Sequence, residues 1–422
     1  MVPRRREDSV IWLGALTVAI WLGIALGRDG FWLARERDTQ PTPARDMTPL
    51  PEREGLGVGS SRGNAALAPH PPTPVPSLPG RGEEGWPSVV AVVPARDEAE
   101  VIAESIGSLV AQAYPGAFRI LLVDDGSTDG TAEIARAAAR GSERLTILPG
   151  APLARGWTGK LWAVSQGIAA AGDVDYLLLT DADIAHAPDT LASLVARAEG
   201  DDRVLVSLMA RLRCESLAER ALIPAFVWFF QMLYPFRTVN ARRRGLGGAA
   251  GGVMLVRRTA LEAAGGIGAV RGALIDDCTF GALMKRHGAI WLGLTDRARS
   301  IRIYDTAESV AAMISRSAYA QLRYSPWLLA GTTIGLALTY LAPPLLALFA
   351  RGYAQALGIM AWVLMGLLFQ PMLRFYHRSP LWGAALPAIA SFYAGCTLLS
   401  AWQHARGRGG MWKGRAQADL QA

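Results

Sequence analysis

Four apolar runs, one near the N terminus and three in the last quarter of the chain, set the strongest limit on how this sequence can fold. They lie at about residues 9–27, 326–350, 355–373 and 381–402. A helix of roughly 20 apolar residues crosses the hydrocarbon core of a bilayer. We therefore expect a membrane anchor within residues 1–38 and a cluster of transmembrane helices over 326–405, followed by a basic tail, 406–422.

The N-terminal run follows Arg4, Arg5 and Arg6, and no small-residue cleavage site follows it. This pattern favours a retained anchor over a cleaved signal peptide. If the region between the apolar runs faces the cytosol, three C-terminal crossings would place the basic tail outside, against the positive-inside rule. Either one of the three C-terminal runs is re-entrant, or the number of C-terminal crossings is not three.

Composition agrees with a membrane protein. Of the 422 residues, 51% are hydrophobic, the formal net charge is +7, the isoelectric point is near 9.6 and the mean hydropathy is +0.21. Binding to a lipid bilayer explains the positive charge and the apolar composition better than binding to nucleic acid. The sequence has no known nucleic-acid-binding module with basic residues interleaved with aromatic ones. The three cysteines, Cys214, Cys278 and Cys396, are scattered, which indicates a reducing compartment rather than a disulfide framework or a zinc site.

The region between the apolar runs divides into two segments. Residues 39–86 are rich in Pro and Gly without an apolar period, which predicts a flexible linker. Over 87–325, apolar strand patterns such as VVAVVPA and RILLVDD alternate with helical patterns, which predicts an α/β domain with a Rossmann-like, mostly parallel sheet. Residues 216–236 are apolar but interrupted by charges and prolines, a pattern that favours a helix in the membrane interface, with a buried core helix as the alternative.

Acidic residues follow three of the predicted strands, at the edge of the sheet where such folds bind ligands. They are Asp97 and Glu98, Asp124 and Asp125, and Asp181 and Asp183. The first pair is equally typical of the acidic first turn of a helix. The last pair leaves a wholly apolar strand, where two carboxylates are costly unless they are solvated or bound to a cation. Such oxygen ligands suit a hard cation on a phosphate group.

Two further features point to chemistry. Asp276 and Asp277 begin a predicted amphipathic helix, where one carboxylate can act as a general base whose pKa the other raises, unless both are there only to suit the helix N terminus. Glycines at 245, 247, 248, 251 and 252 would let the backbone approach a ligand closely. The chain has no GxxxxGK[ST] phosphate loop, which argues against a P-loop ATPase.

Six motifs occur in the order seen in one enzyme family: VVPARDEAE, VDDGSTDG, GWTGK, TDADI, GGVMLVRRTAL and IDDCTFG. With them the chain resembles the inverting family 2 glycosyltransferases of the GT-A fold, and in particular their hopene-associated branch. The resemblance covers most of residues 87–325. It implies transfer of a sugar, a hexose, from a nucleotide diphosphate, with UDP as the expected nucleotide, to a membrane lipid such as a hopanoid.

The resemblance also implies roles for individual residues. The nucleotide-sugar site would be lined by Pro94, Ala95, Asp97, Glu98, Asp124, Asp125, Lys160 and Asp181. Asp183, helped by Asp181, would hold Mg²⁺ or Mn²⁺ on the diphosphate. Asp277 would be the catalytic base, with Asp276 beside it.

One motif departs from the family pattern. Processive members carry QxxRW, whereas this chain has Gln321, Arg323 and Tyr324 in AYAQLRYSP, with one residue fewer between Gln and Arg. Arg323 is still expected to contact the diphosphate. The departure favours addition of one sugar, with a processive polysaccharide synthase, a catalytically inactive scaffold and a nucleotidyltransferase as the alternatives. The expected location is the bacterial inner membrane, multi-pass, with the catalytic domain in the cytosol.

Overall fold

The computed structural model describes residues 4–38, 85–242 and 245–407, together with 411–412 and 415–416. Nearly all of the expected linker, 39–86, and most of the expected basic tail, 406–422, lie outside the described residues.

The predicted α/β region is built on one eight-stranded sheet. Its strands are β1 Val89–Ala95, β2 Phe118–Asp124, β3 Leu145–Pro149, β4 Tyr176–Thr180, β5 Ile184–His186, β6 Leu205–Arg211, β7 Val253–Arg257 and β8 Ile290–Ser300. They lie in the order β3-β2-β1-β4-β7-β6-β8-β5. The first four positions of this order are parallel, whereas β7 runs antiparallel to both β4 and β6, and β5 runs antiparallel to β8. The α/β, Rossmann-like prediction is confirmed, with a mixed second half.

Helices cover both faces of the sheet and extend beyond it. They are α1 Arg4–Leu26, α2 Ile102–Val110, α3 Thr131–Ala138, α4 Gly159–Ala170, α5 Thr190–Gly200, α6 Leu217–Leu233, α7 Phe236–Asn240, α8 Arg258–Ala263, α9 Asp276–His287, α10 Ala307–Ser315, α11 Ala318–Gln321, α12 Pro326–Leu336, α13 Ala342–Phe349, α14 Gly352–Phe375 and α15 Leu386–Ala405. Two residue pairs, Met411–Trp412 and Arg415–Ala416, form a short separate hairpin.

Alternation along β1 divides the core into two clusters. Val89, Ala91 and Val93 face α2, α3 and α5, whereas Val90 and Val92 belong to a cluster that includes α4, α6, α9 and the C-terminal helices. A fully buried strand carries apolar side chains on both faces. The second cluster therefore runs without a break from the sheet into the helical bundle.

Helix α6 joins the sheet to the bundle. It begins with a capping box in which Ser216 and Glu219 satisfy each other's backbone N–H groups. Trp228, in its middle, is fully buried, and its ring lies 6.3 Å from that of Trp21 and 5.8 Å from that of Phe369. The stretch expected at the membrane interface is thus a helix whose centre is enclosed by α1 and α14.

The segment after the anchor, residues 28–38, packs directly on the catalytic region. Phe31 packs on Trp228 at 5.4 Å between ring centroids, and Arg37 forms an isolated parallel bridge with Leu294 of β8. The Asp38 backbone N–H donates to the Leu294 carbonyl at 3.0 Å. We call residues 28–38 the strap. The strap therefore fixes α1 to the sheet.

Three described helices are long and apolar enough to cross a membrane: Asp8–Leu26, Pro326–Phe349 and Gly352–Phe375. The second is interrupted by a π-helical turn, Ala337–Leu341, just before Pro343 and Pro344. Proline cannot donate the regular backbone hydrogen bond, and a local π turn accommodates such a break.

The third C-terminal apolar run forms helix α15, Leu386–Ala405. It lies outside the set of candidate spans among the described residues. Just before its start, the Ala384 carbonyl accepts from Trp362 in the middle of α14 at 3.1 Å. Near its end, Ser400 accepts from the Tyr319 backbone N–H of α11 at 3.1 Å. Helix α15 therefore begins beside the middle of α14 and ends beside α11.

Candidate active site

The loop after β1 is bonded to the loop after β2. Asp97 adopts a left-handed backbone conformation, φ 49°, and its carboxylate accepts from the Thr128 backbone N–H at 2.9 Å. The Glu98 backbone N–H donates to Thr131 at 2.8 Å. Asp and Asn tolerate this region of backbone space better than other non-glycine residues. These contacts explain why acidic residues recur in both loops.

Asp124 and Asp125 differ in surroundings although they are neighbours. Asp124 accepts from the Ser127 backbone N–H at 2.9 Å and so stabilises its own turn. Asp125 is buried, and its carboxylate lies 3.7 Å from the guanidinium of Arg96. Arg96 was not singled out from the sequence. It supplies the counter-charge that a buried carboxylate needs.

Lys160 lies at the centre of an acidic cluster. It occupies the first turn of α4, whose N-cap residue is Thr158. Its ammonium group is 2.8 Å from Asp181 and 3.6 Å from Asp276. Burial alone would lower the pKa of Lys160, but the two carboxylates reverse the direction and raise it. Burial, with Asp183 nearby, raises the pKa of Asp181, and Lys160 opposes that rise.

Asp183 is held by a second cation that the sequence did not reveal. One of its carboxylate oxygens accepts from the Ser300 hydroxyl at 3.0 Å and from the Arg302 guanidinium at 3.2 Å. Arg302 also donates to Glu98 at 2.7 Å. Arginines are abundant in this chain, so a single one just beyond β8 gave no signal.

Asp277 has the surroundings expected of a general base. Its carboxylate accepts from the backbone N–H groups of Gly251 at 3.0 Å and Cys278 at 2.7 Å. Burial, and then the negative charge of Asp276, raise the pKa of Asp277 to about 6. A carboxylate with this pKa is largely ionised at neutral pH and is still basic enough to accept a proton in catalysis.

Two of the glycines before β7, Gly247 and Gly248, pack closely against other parts of the protein. A Cβ on Gly247 would lie 2.5 Å from the Ala282 backbone, and one on Gly248 would lie 2.9 Å from the Tyr234 ring. These two glycines let the loop pack against the protein itself rather than against a ligand. Gly251 differs, because a Cβ there would lie 3.4 Å from the Asp277 carboxylate and 3.5 Å from the Lys160 ammonium.

Comparison with known proteins agrees with this arrangement. The family model described as glycosyl transferase family 2 matches residues 90–265. The chain contains a glycosyltransferase family 2 domain. The matched segment includes Asp97, Lys160 and Asp183, and Asp277 follows it.

The family 2 domain also has individual relatives. An N-acetylglucosaminyltransferase from Rhizobium leguminosarum is 33% identical over 137 residues, which are 32% of this chain and 30% of that protein. The glycosyltransferase AglE of Haloferax volcanii is 40% identical over 63 residues, which are 15% of this chain and 21% of that protein. The chain thus aligns with less than a third of the length of either relative.

One solved structure resembles the whole chain. It is a mannosyltransferase from Pyrobaculum calidifontis in complex with GDP-mannose and Mn²⁺, with a TM-score of 0.51 and 17% sequence identity. The likeness covers 93% of this chain and 99% of that chain. At this identity the likeness shows a shared fold, and it extends beyond the family 2 domain to the helices that flank it.

A cavity in the family 2 domain opens between the sheet edge and α9. Its polar lining comes from Lys160, Asp181 and Asp276, beside Pro94 and Gly251. The carboxylates fit the ligand chemistry of Mg²⁺ or Mn²⁺, but no group of three or more acidic, His or Cys side chains forms a ready-made metal cluster among the described residues. A hard cation takes six or more oxygen ligands. The remaining oxygens would have to come from water and a diphosphate.

Arg323 lies apart from this cavity. Its side chain is exposed, its φ is 52°, and within the described segments no hydrogen bond or ion pair joins it to the acidic cluster. Gln321, two residues earlier, donates to the Tyr234 hydroxyl at 2.8 Å. The predicted contact of Arg323 with a diphosphate therefore has no support in this geometry.

Proposed function

We propose that this chain is a membrane-bound glycosyltransferase that transfers one sugar from a nucleotide diphosphate, UDP being expected, to the hydroxyl group of a membrane lipid, with inversion at the anomeric carbon. A hopanoid is one candidate acceptor. The observation that carries the proposal is the cluster at the sheet edge, where Lys160 lies between Asp181 and Asp276 and Asp277 is poised as a base.

The proposed reaction is a single displacement. Asp277 accepts the proton of the acceptor hydroxyl while that oxygen attacks the anomeric carbon, and the bond from this carbon to the diphosphate oxygen breaks. The pKa of about 6 leaves most of Asp277 ionised at pH 7. Lys160 provides a positive charge beside the leaving diphosphate.

A divalent cation completes the proposed donor site. Asp183, helped by Asp181, would hold Mg²⁺ or Mn²⁺, which would offset the charge of the diphosphate. The roles of Pro94, Ala95 and the acidic residues after β1 and β2 in holding the nucleotide are part of the same proposal.

The lipid acceptor is supported by the position of the base. Asp277 precedes Cys278, whose thiol lies beside Tyr234, and Tyr234 ends helix α6. The middle of α6 packs between two candidate membrane spans, α1 and α14. The base is therefore close to the helical bundle, where the headgroup of a lipid would lie.

The proposed location is the bacterial inner membrane, multi-pass, with the catalytic domain in the cytosol. Two C-terminal spans followed by α15, which ends beside α11, support a tail on the catalytic side. The tail sequence RGRGGMWKGR would then lie inside, as the positive-inside rule favours.

The test uses the full chain in lipid nanodiscs with a panel of UDP-sugars and a bacterial lipid extract. Lipid mass spectrometry should find a product heavier by one hexose or amino sugar. Asp277→Asn should abolish product and keep UDP and Mn²⁺ binding in calorimetry, whereas Asp183→Ala should weaken that binding. Asp296→Asn, which alters an exposed carboxylate paired with Arg211, is the matched control and should keep full turnover. A glycosylated lipid formed equally well by Asp277→Asn would refute the assignment of the base.

A further inference from the structure

Two internal cations neutralise the acidic edge of the sheet when no ligand is bound. Lys160 contacts Asp181 and Asp276, and Arg302 contacts Asp183 and Glu98. The Glu98 and Asp183 side chains are only 8% and 14% exposed. Carboxylates at this depth need a positive partner, and Arg302 supplies it for both.

Arg302 occupies one of the two carboxylate oxygens through which Asp183 could hold a metal. The same Asp183 oxygen accepts from Arg302 Nε at 3.2 Å and from the Ser300 hydroxyl at 3.0 Å. Mg²⁺ binds carboxylate oxygens at about 2.0–2.1 Å. A divalent cation so close to that carboxylate would lie beside the guanidinium group, and the two positive charges would repel each other.

Glu98 gives Arg302 a fixed support when its Nε leaves Asp183. The Glu98 carboxylate accepts from Arg302 Nη2 at 2.7 Å, and the Glu98 backbone is bonded to Thr131 at the start of α3. A guanidinium group has five donors in a rigid plane. Arg302 can therefore keep its bond to Glu98 while it turns its other donors toward an incoming anion.

We propose that Arg302 is a positioning residue that makes metal binding and donor binding depend on each other. This inference rests on the proposed function. Without donor, Arg302 holds Asp183 and disfavours the metal. When a nucleoside diphosphate arrives, its negative charge attracts the guanidinium group and Asp183 is released, so that its carboxylate would be free to hold a divalent cation. Such coupling is reciprocal, so the metal strengthens nucleotide binding by the same factor.

The test measures Mn²⁺ affinity by electron paramagnetic resonance, with and without saturating UDP, on the full chain in detergent. The wild type should bind Mn²⁺ weakly alone and much more tightly with UDP. Without UDP, Arg302→Gln should bind Mn²⁺ at least fivefold more tightly than the wild type does. The increase in Mn²⁺ affinity that UDP causes should be at least fivefold smaller in this variant. If Arg302 only supported the fold, Arg302→Gln would instead weaken the binding of Mn²⁺ in the absence of UDP.

Two variants isolate the charge of Arg302. Arg299→Gln removes an arginine from β8 that pairs with Glu104 and is 65% exposed, and it should behave as the wild type. Arg302→Lys keeps the charge and should keep the weak binding of Mn²⁺ alone. If Arg302→Gln leaves the affinity for Mn²⁺ alone unchanged or lower, or if Arg302→Lys matches Arg302→Gln, the proposal is wrong. A wild-type protein that binds neither Mn²⁺ nor UDP would instead refute the proposed function.

Discussion

Replacing Lys160 with glutamine should move the pH dependence of catalysis to higher pH. The Lys160 ammonium group lowers the pKa of Asp277, opposing burial and Asp276, which raise it to about 6. Asp277 accepts a proton only when it is ionised, so activity is present above its pKa and is lost as the pH falls through it. Without Lys160 the Asp277 carboxyl group loses its proton less readily, so the acid limb of the pH–activity profile shifts to higher pH.

The size of the shift follows from the geometry. A Cβ at Gly251 would lie 3.4 Å from the Asp277 carboxylate and 3.5 Å from the Lys160 ammonium, which places the two charges within about 7 Å of each other. At an effective dielectric constant of about 20, their attraction is about 2 kcal/mol, or about 1 to 2 pKa units. A shift of about 1.5 units reduces the ionised fraction of Asp277 at pH 6.5 by about eightfold.

The assay is kcat/KM for UDP release between pH 5 and 9, at saturating metal and with lipid extract as the acceptor. Because Lys160→Gln also weakens donor binding, the midpoint of the acid limb is compared, not the absolute rate. Arg286→Gln, an exposed change at the other end of α9, should leave the midpoint in place. An acid limb that stays within about 0.3 units of the wild type, or moves to lower pH, would contradict the electrostatic coupling of Lys160 and Asp277.

Three further predictions concern the scaffold. Gly281→Ala should lower the free energy of unfolding by about 1–3 kcal/mol or more, because the new Cβ would lie 2.4 Å from the Gly248 carbonyl carbon; an unchanged melting temperature would argue against this close packing. Trp228→Ala should lower the free energy of unfolding by about 3–5 kcal/mol. Trp228→Phe should lower it clearly less, because it removes an indole N–H that has no partner among the described residues. Thermal unfolding in detergent ranks the two variants, and equal losses would contradict the account. A reporter fused after Ala422 should be active only on the side of the catalytic domain, whereas the opposite result would mean that α15 crosses the membrane.

The sequence predicted the sheet and the acidic edge because both depend on local patterns. Apolar strands that end in carboxylates can be recognised within nine or ten residues, and parallel strands bring those ends together. Lys160 was expected in the nucleotide-sugar site from the resemblance to family 2 glycosyltransferases, through the motif GWTGK. The contacts among Lys160, Asp181 and Asp276 agree with that expectation, while their catalytic roles stay predictions.

The features that the sequence did not reveal depend on contacts between distant parts of the chain. Arg302 meets Asp183 across 119 positions, and Asp38 meets Thr295 across 257. No local sequence pattern indicates contacts between residues so far apart in the chain. Membrane crossing by α15 likewise stays a prediction, since an apolar helix that packs on other helices has the same composition as one that faces lipid.

The strap has a consequence for which molecules this enzyme can modify. Since residues 28–38 hold the sheet against α1, a candidate membrane span, Asp277 would remain at one height above the hydrocarbon. Under the proposed function, an alcohol embedded in the bilayer would be selected by the length of its polar stem, because only a hydroxyl at that height would meet the base. The hydroxyl groups of an added sugar would lie above the height of Asp277. The fixed position of the sheet would therefore end the reaction after one transfer.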